Sequence, residues 1–209
     1  RIGTAGLLAT FVEAERYGLT FDVVDDLTGK KLGRASSGTF RTADVVGLDT
    51  LAHVIRTLQD NLDASSDPFY PHFATPAVLQ TLLEKGHLGQ KVKKGFYQKR
   101  GRDVLRFDPE HGDYVPGGAK ADEVYARMLK RPPTERLALL RNSKGPEGQF
   151  LWAILRNGFH YAALHLASVR EKAGSDDLVL AIDLEHAFLV EHQLEEIQHI
   201  AGEQCRSVS

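Results

Sequence analysis

The sequence predicts a mainly α-helical protein, two helical halves with a small β-hairpin insert. Three observations carry this. Apolar residues recur at the helical period from about residue 4 to residue 85 and again from about 121 to 202. Glycines follow several of these runs, at Gly18, Gly33, Gly86 and Gly174, where a helix C-terminus favours them. Only between about 95 and 115 does the pattern change to short β-prone segments.

The elements follow in order. Residues 4–17, TAGLLATFVEAERY, carry the helical spacing and stop at Gly18. Thr20 is placed to cap a helix over 21–32, with acids in its first half and lysines in its last turn, as the helix dipole favours. Residues 34–39 read as a loop and 40–46 as a short helical turn broken by Gly47. Asp49 is a good N-cap for a helix over 50–62. After a loop over 63–74, Thr75 and Pro76 give an N-cap and first-turn proline for a helix over 77–85. GFYQK, DVLRFD and DYVP then read as a hairpin or meander at about 95–115. Pro116-Gly117-Gly118 is the best internal linker, dividing the chain into residues 1–116 and 117–209. Helices are expected at 121–130, 134–142 and about 147–172, and a final pair at 177–202 follows the Ser175-Asp176-Asp177 cap.

Composition narrows the function classes. Lys and Arg number 26 against 28 Asp and Glu, a net charge of −2, so no broad basic surface is available for nucleic acid or an anionic membrane. No apolar run approaches the roughly 20 residues a bilayer requires. The single Cys205 has no internal disulfide partner, which fits a reducing, cytoplasmic setting. The chain opens on Arg1 and its one methionine is Met128, which reads as a processed chain or a piece of a longer one.

Chemical motifs are sparse. No two glycines stand two apart, so the G-x-G-x-x-G dinucleotide fingerprint is absent, as is G-x-x-x-x-G-K-[ST]. His192, Glu195, Glu196 and His199 share one helix face, and Glu196–His199 matches a Glu-x-x-His element of di-iron bundles. A second such element is missing, so a solvated polar face is expected and no metal. His160 and His165 read as core or boundary residues. Ser36-Ser37-Gly38-Thr39 resembles an anion-binding loop entering a helix, but capping by Ser37 or Thr39 is the favoured reading. Lys91, Lys93 and Lys94 read equally as a phosphate contact, for instance to a CoA tail, or as a solvated turn. Tyr17, Phe21, Phe40, Trp152, Phe159 and Phe188 are expected in the core.

Three motifs in order carry a resemblance. The run from Gly38 to Thr50, GTFRTADVVGLDT, resembles the G-P-F-x-x-x-D-x-x-G-L-D-T signature of the C-terminal domain of L-3-hydroxyacyl-CoA dehydrogenases. Gly38, Phe40, Asp44, Gly47, Leu48 and Asp49 match it; Thr39 replaces the proline. Upstream, Asp25 or Asp26 matches the family's helix-opening Asp. Downstream, Leu88 to Tyr97 is similar to L-G-x-K-T-G-x-G-F-Y through Lys91, Gly95, Phe96 and Tyr97, while Val92 and Lys93 depart from its Thr-Gly. Arg1-Ile2-Gly3 looks like the end of the G-F-x-x-N-R-I hinge. The second half resembles a degenerate tandem copy: 182–188 echoes the Asp-bearing helix, and 193–202 keeps only the spacing and final Gly of the signature.

The resemblance implies an NAD-dependent parent that oxidises 3-hydroxyacyl-CoA to 3-ketoacyl-CoA in fatty-acid β-oxidation. In the family a separate Rossmann domain binds NAD and carries a His–Glu pair, the His acting as general base. The hinge Asn would stand just before Arg1, as if the chain were divided at the interdomain hinge. This stretch alone is therefore expected to be inactive, with no catalytic, cofactor or metal residue of its own. Its expected partners are the acyl-CoA substrate, the missing Rossmann domain and a second copy in a homodimer. Ile2, Leu7 and Leu8 are the candidates for the acyl side of the cleft. The rival reading is a non-catalytic helical interaction module of the same fold.

Overall fold

The structure, a computed structural model, describes residues 2–172 other than 66 and 68, with side chains to residue 165. The final helix pair expected at 177–202, Phe188 and the His192–His199 face lie outside the described residues. Eight α-helices and one three-stranded antiparallel sheet are described, so the mainly α reading stands.

Helix α1 spans Ile2–Arg16. It closes as expected on Gly18, at φ +64°, with Leu19 N–H reaching the Ala14 carbonyl at 2.9 Å. Helix α2, Phe21–Thr28, is shorter than the 21–32 expected. Gly29 breaks it, and only a 3-10 turn over Lys30–Leu32 continues. Gly29 leaves the helical region, at φ −84° and ψ −131°, and a Cβ there would lie 2.9 Å from the Asp25 carbonyl, so the position takes glycine.

Helix α3 spans Gly38–Val46 and α4 spans Leu48–Asn61. Gly47, at φ +99°, is the N-cap of α4, and Asp49 lies inside the first turn, not at the cap. Helix α5, Ala77–Glu84, likewise starts after Pro76 without a side-chain cap from Thr75. At both starts the cap residue carries no side-chain acceptor: Gly47 enters α4 at φ +99° and Pro76 enters α5 at φ −58°. Strands β1, Tyr97–Arg100, β2, Asp103–Asp108, and β3, Asp113–Pro116, form a meander in the order β1-β2-β3. Tyr97 faces Arg106 and Phe107 faces Tyr114 across it. Helices α6, Glu123–Leu129, and α7, Pro133–Arg141, lead into α8, Pro146–Lys172.

Phe11, Phe21, Phe40 and Phe96 form an aromatic tetrad, with ring centroids 4.4 to 5.5 Å apart. Tilted and edge-on pairs of this kind stabilise beyond simple burial. The tetrad ties α1, α2, α3 and the entry to β1 to one point. Leu129, Leu140, Phe150 and Leu151 of the second half join the same contiguous core, and α8 lies along α1. Among the described residues, no helix is long and apolar enough to cross a membrane.

Candidate functional site

Five of the motif residues, Gly38, Phe40, Gly95, Phe96 and Tyr97, converge on two buried carboxylates. Asp25, from α2, accepts hydrogen bonds from Phe40 N–H at 2.6 Å and Arg41 N–H at 3.1 Å, and from the Tyr97 hydroxyl at 2.7 Å. The N-terminus of α3 attracts an anion, and the chain supplies its own. Ser37 and Thr39 do not cap that helix. Asp44, from the middle of α3, accepts from Phe96 N–H at 2.8 Å and Tyr97 N–H at 2.9 Å. Gly38 and Gly95 permit the approach: a Cβ on Gly38 would lie 2.5 Å from Asp25 Cα, and one on Gly95 2.0 Å from Asp44 Oδ1. Arg41 covers the Tyr97 ring at 4.4 Å.

Burial dominates the electrostatics of this latch. It pushes Asp25 up to about 6 against the opposing pull of Tyr97, Phe40 and Arg41. Asp44 is likewise pushed up to about 6 by burial, against the Phe96 and Tyr97 N–H groups. Burial also raises the Tyr97 phenol, which stays protonated and donates.

The other acids of α2 anchor the chain beyond the sheet. Asp22 accepts from Gly118 and Ala119 N–H, both at 2.8 Å, and Asp26 from Ala121 N–H at 3.1 Å and Lys120. Burial works to raise Asp22, but Thr20, Ala119, Gly118 and Arg106 together hold it below the usual carboxylate range. Sequence reading attributed these acids to the helix dipole; their tertiary role left no local signal. Asp25, not Asp26, is the motif's aspartate.

The remaining motif residues make contacts around the start of α4. Leu48 is fully buried, and its N–H reaches the Leu88 carbonyl at 3.2 Å. Exposed Asp49 pairs with Lys91, which lowers its pKa. Lys94 lies 5.3 Å from the Tyr114 ring centroid, and exposed Lys93 turns through the left-handed region.

A cavity of about 380 Å³ opens beside the latch, between α1, α8 and the start of α3. Ile2 and Leu7 line it, with Thr10 from the next turn and Ile154, Leu155 and Phe159 from α8. Leu8 points the other way, into the core, 2% exposed. Leu7 and Leu8 stand about 100° apart on the helix, and here that step carries Leu8 onto the core face.

Sequence reasoning missed a second anchor. Asp67, 1% exposed, accepts from the Tyr161 hydroxyl at 2.8 Å, and His165 lies 3.6 Å from the same carboxylate. His160 packs edge-on against Phe69 at 5.4 Å. Asp108, Glu110 and His111 bring ligand-type atoms within 4.8 Å of one another on an exposed turn. There Asp108 is already engaged by Glu110 N–H and His111. Among the described residues the sheet is an antiparallel meander, not the parallel strand-helix-strand unit of the dinucleotide fold.

The arrangement defines a helical domain that is held shut by carboxylate latches and carries an apolar groove. Residues 4–99 match the family described as 3-hydroxyacyl-CoA dehydrogenase, C-terminal domain, so this stretch of the chain is a domain of that family. A probable 3-hydroxyacyl-CoA dehydrogenase of Bacillus subtilis (strain 168) is 37% identical over 82% of this chain and 21% of its own length. Another, of Deinococcus radiodurans, is 41% identical over 47% of this chain and 27% of its own. The chain thus spans between a fifth and about a quarter of the curated relatives it matches. No solved structure matches it significantly.

Proposed function

We propose that this chain is the substrate-closing and packing region of an NAD-dependent L-3-hydroxyacyl-CoA dehydrogenase. The parent would oxidise the 3-hydroxyacyl thioester to the 3-ketoacyl thioester in cytoplasmic fatty-acid β-oxidation. NAD and the catalytic His–Glu pair would belong to a Rossmann domain, and this stretch alone would be inactive. Residues 117–209 are read as the degenerate second copy packed on residues 1–116, with a homodimer as the further packing partner.

One observation carries the reading. The largely apolar groove begins at Ile2 and Leu7, in the first two turns of a domain whose residues 4–99 match the family. An acyl chain needs such a surface, because burying it there removes apolar area from water. The test is Leu7→Glu in the full-length enzyme. A carboxylate on that wall should raise the KM for a long-chain 3-hydroxyacyl-CoA roughly tenfold or more. Kinetic constants unchanged by Leu7→Glu would leave the packing role without the substrate role and favour the interaction module.

A further inference from the structure

The groove has a second wall that lies beyond the family match. Its first wall is α1; its second is α8, through Ile154, Leu155 and Phe159. A glycine from the interior of each helix lines it, Gly6 and Gly158. A Cβ built on either meets no heavy atom within 4 Å, and neither holds a positive φ. Glycine inside a helix is less stable than alanine. At Gly38 and Gly95 a close neighbour explains the glycine; at Gly6 and Gly158 what it preserves is open width.

The polar atoms of the groove point to the same kind of occupant. Among the described residues, Arg34 is the one charged side chain on its lining. Thr10, Thr28 and Thr42 donate their hydroxyl protons to carbonyls four residues back in their own helices. Thr28 being so engaged, Thr39 donates to Thr28 at 2.8 Å. No threonine hydroxyl keeps a proton for a ligand, so the surface is suited to alkyl groups.

We infer that Gly158, with Gly6 opposite it in sequence origin, sets the length and bulk of acyl chain that the groove admits, which makes α8 the specificity-determining wall. The inference rests on the groove being the acyl site. The test compares kcat/KM for C4 and C16 3-hydroxyacyl-CoA in the full-length enzyme carrying Gly158→Leu or Gly158→Ala. The C16-to-C4 ratio should fall roughly tenfold or more with leucine and less with alanine. An unchanged ratio in a folded Gly158→Leu enzyme overturns the inference. If the leucine variant does not fold, Gly158→Ala and Gly6→Ala, each adding one methyl to open space, decide it by the same ratio. Leu7→Glu raising KM while the Gly158 ratio stays fixed sinks only the α8 role. A wild-type enzyme that turns over neither substrate sinks both readings.

Discussion

The Tyr97 hydroxyl donates a 2.7 Å hydrogen bond to Asp25, seventy-two positions earlier in the chain. The N–H of the same Tyr97 donates to Asp44. One residue at the start of β1 therefore ties α2 and α3 to the sheet from its two ends.

This bond should be measurable by mutation. Tyr97→Phe removes one donor from a buried carboxylate that keeps two N–H partners, and should lower stability by about 1–2 kcal/mol. Asp25→Ala removes the shared acceptor, leaving Phe40 N–H, Arg41 N–H and the Tyr97 hydroxyl without it. With Phe40 N–H and the Tyr97 hydroxyl buried and Arg41 N–H only partly so, it should cost about 2–3 kcal/mol. Urea unfolding of the chain and the two variants reads both values. Equal losses in the two would show that the N–H contacts contribute nothing.

Stability should also fall as pH rises through about 6. Burial raises Asp25 and Asp44 above the ordinary carboxylate value of 3.8, so the folded state holds those protons more tightly than the unfolded state. Their contribution is complete below the unfolded value and is lost as pH climbs past about 6. Asp22 and Asp26, held low, act oppositely and lose their contribution in acid below the usual carboxylate range. The optimum for these four groups thus lies between the two ranges. Urea midpoints at pH 5 and pH 7.5 test this: the wild type should be weaker at the higher pH, and Asp44→Asn should narrow the difference. A midpoint that rises with pH, and does so equally in the variant, refutes it.

How much of this was legible depended on the distance over which each signal acts. Gly18 and Gly86 end helices through their own φ of +64° and +71°, and the sequence shows them. The β-prone runs of the meander are equally local, fixed by side-chain alternation and turns. Asp49 reads as a cap from its place before an apolar run, whereas Gly47, at φ +99°, starts α4 and Asp49 pairs with Lys91 forty-two positions away. The choice of Asp25 over Asp26 depends on where α3 and β1 dock, which no local pattern encodes. Of the cleft candidates, Ile2 and Leu7 reach the groove and Leu8 the core. Its α8 wall, some 150 residues on, is visible only once α1 and α8 pack.

The turn before β1 offers a paired test, because two residues there depart from the ordinary in opposite ways. Lys93 is exposed and sits at φ +58°, a left-handed conformation in which a Cβ crowds the following carbonyl. The family signature places glycine at this position. Lys93→Gly relieves that strain while giving back part of the gain as unfolded-chain entropy, so the net stabilisation should be about 0.5–1 kcal/mol. Two residues later the reverse holds. A methyl on Gly95 would stand 2.0 Å from Asp44 Oδ1, and moving Asp44 aside breaks its bonds to both Phe96 and Tyr97 N–H. Gly95→Ala should therefore cost about 3 kcal/mol or more. Thermal and urea unfolding of the two variants should move in opposite directions. A Gly95→Ala chain as stable as the wild type would mean that Asp44 is not what holds β1 to α3.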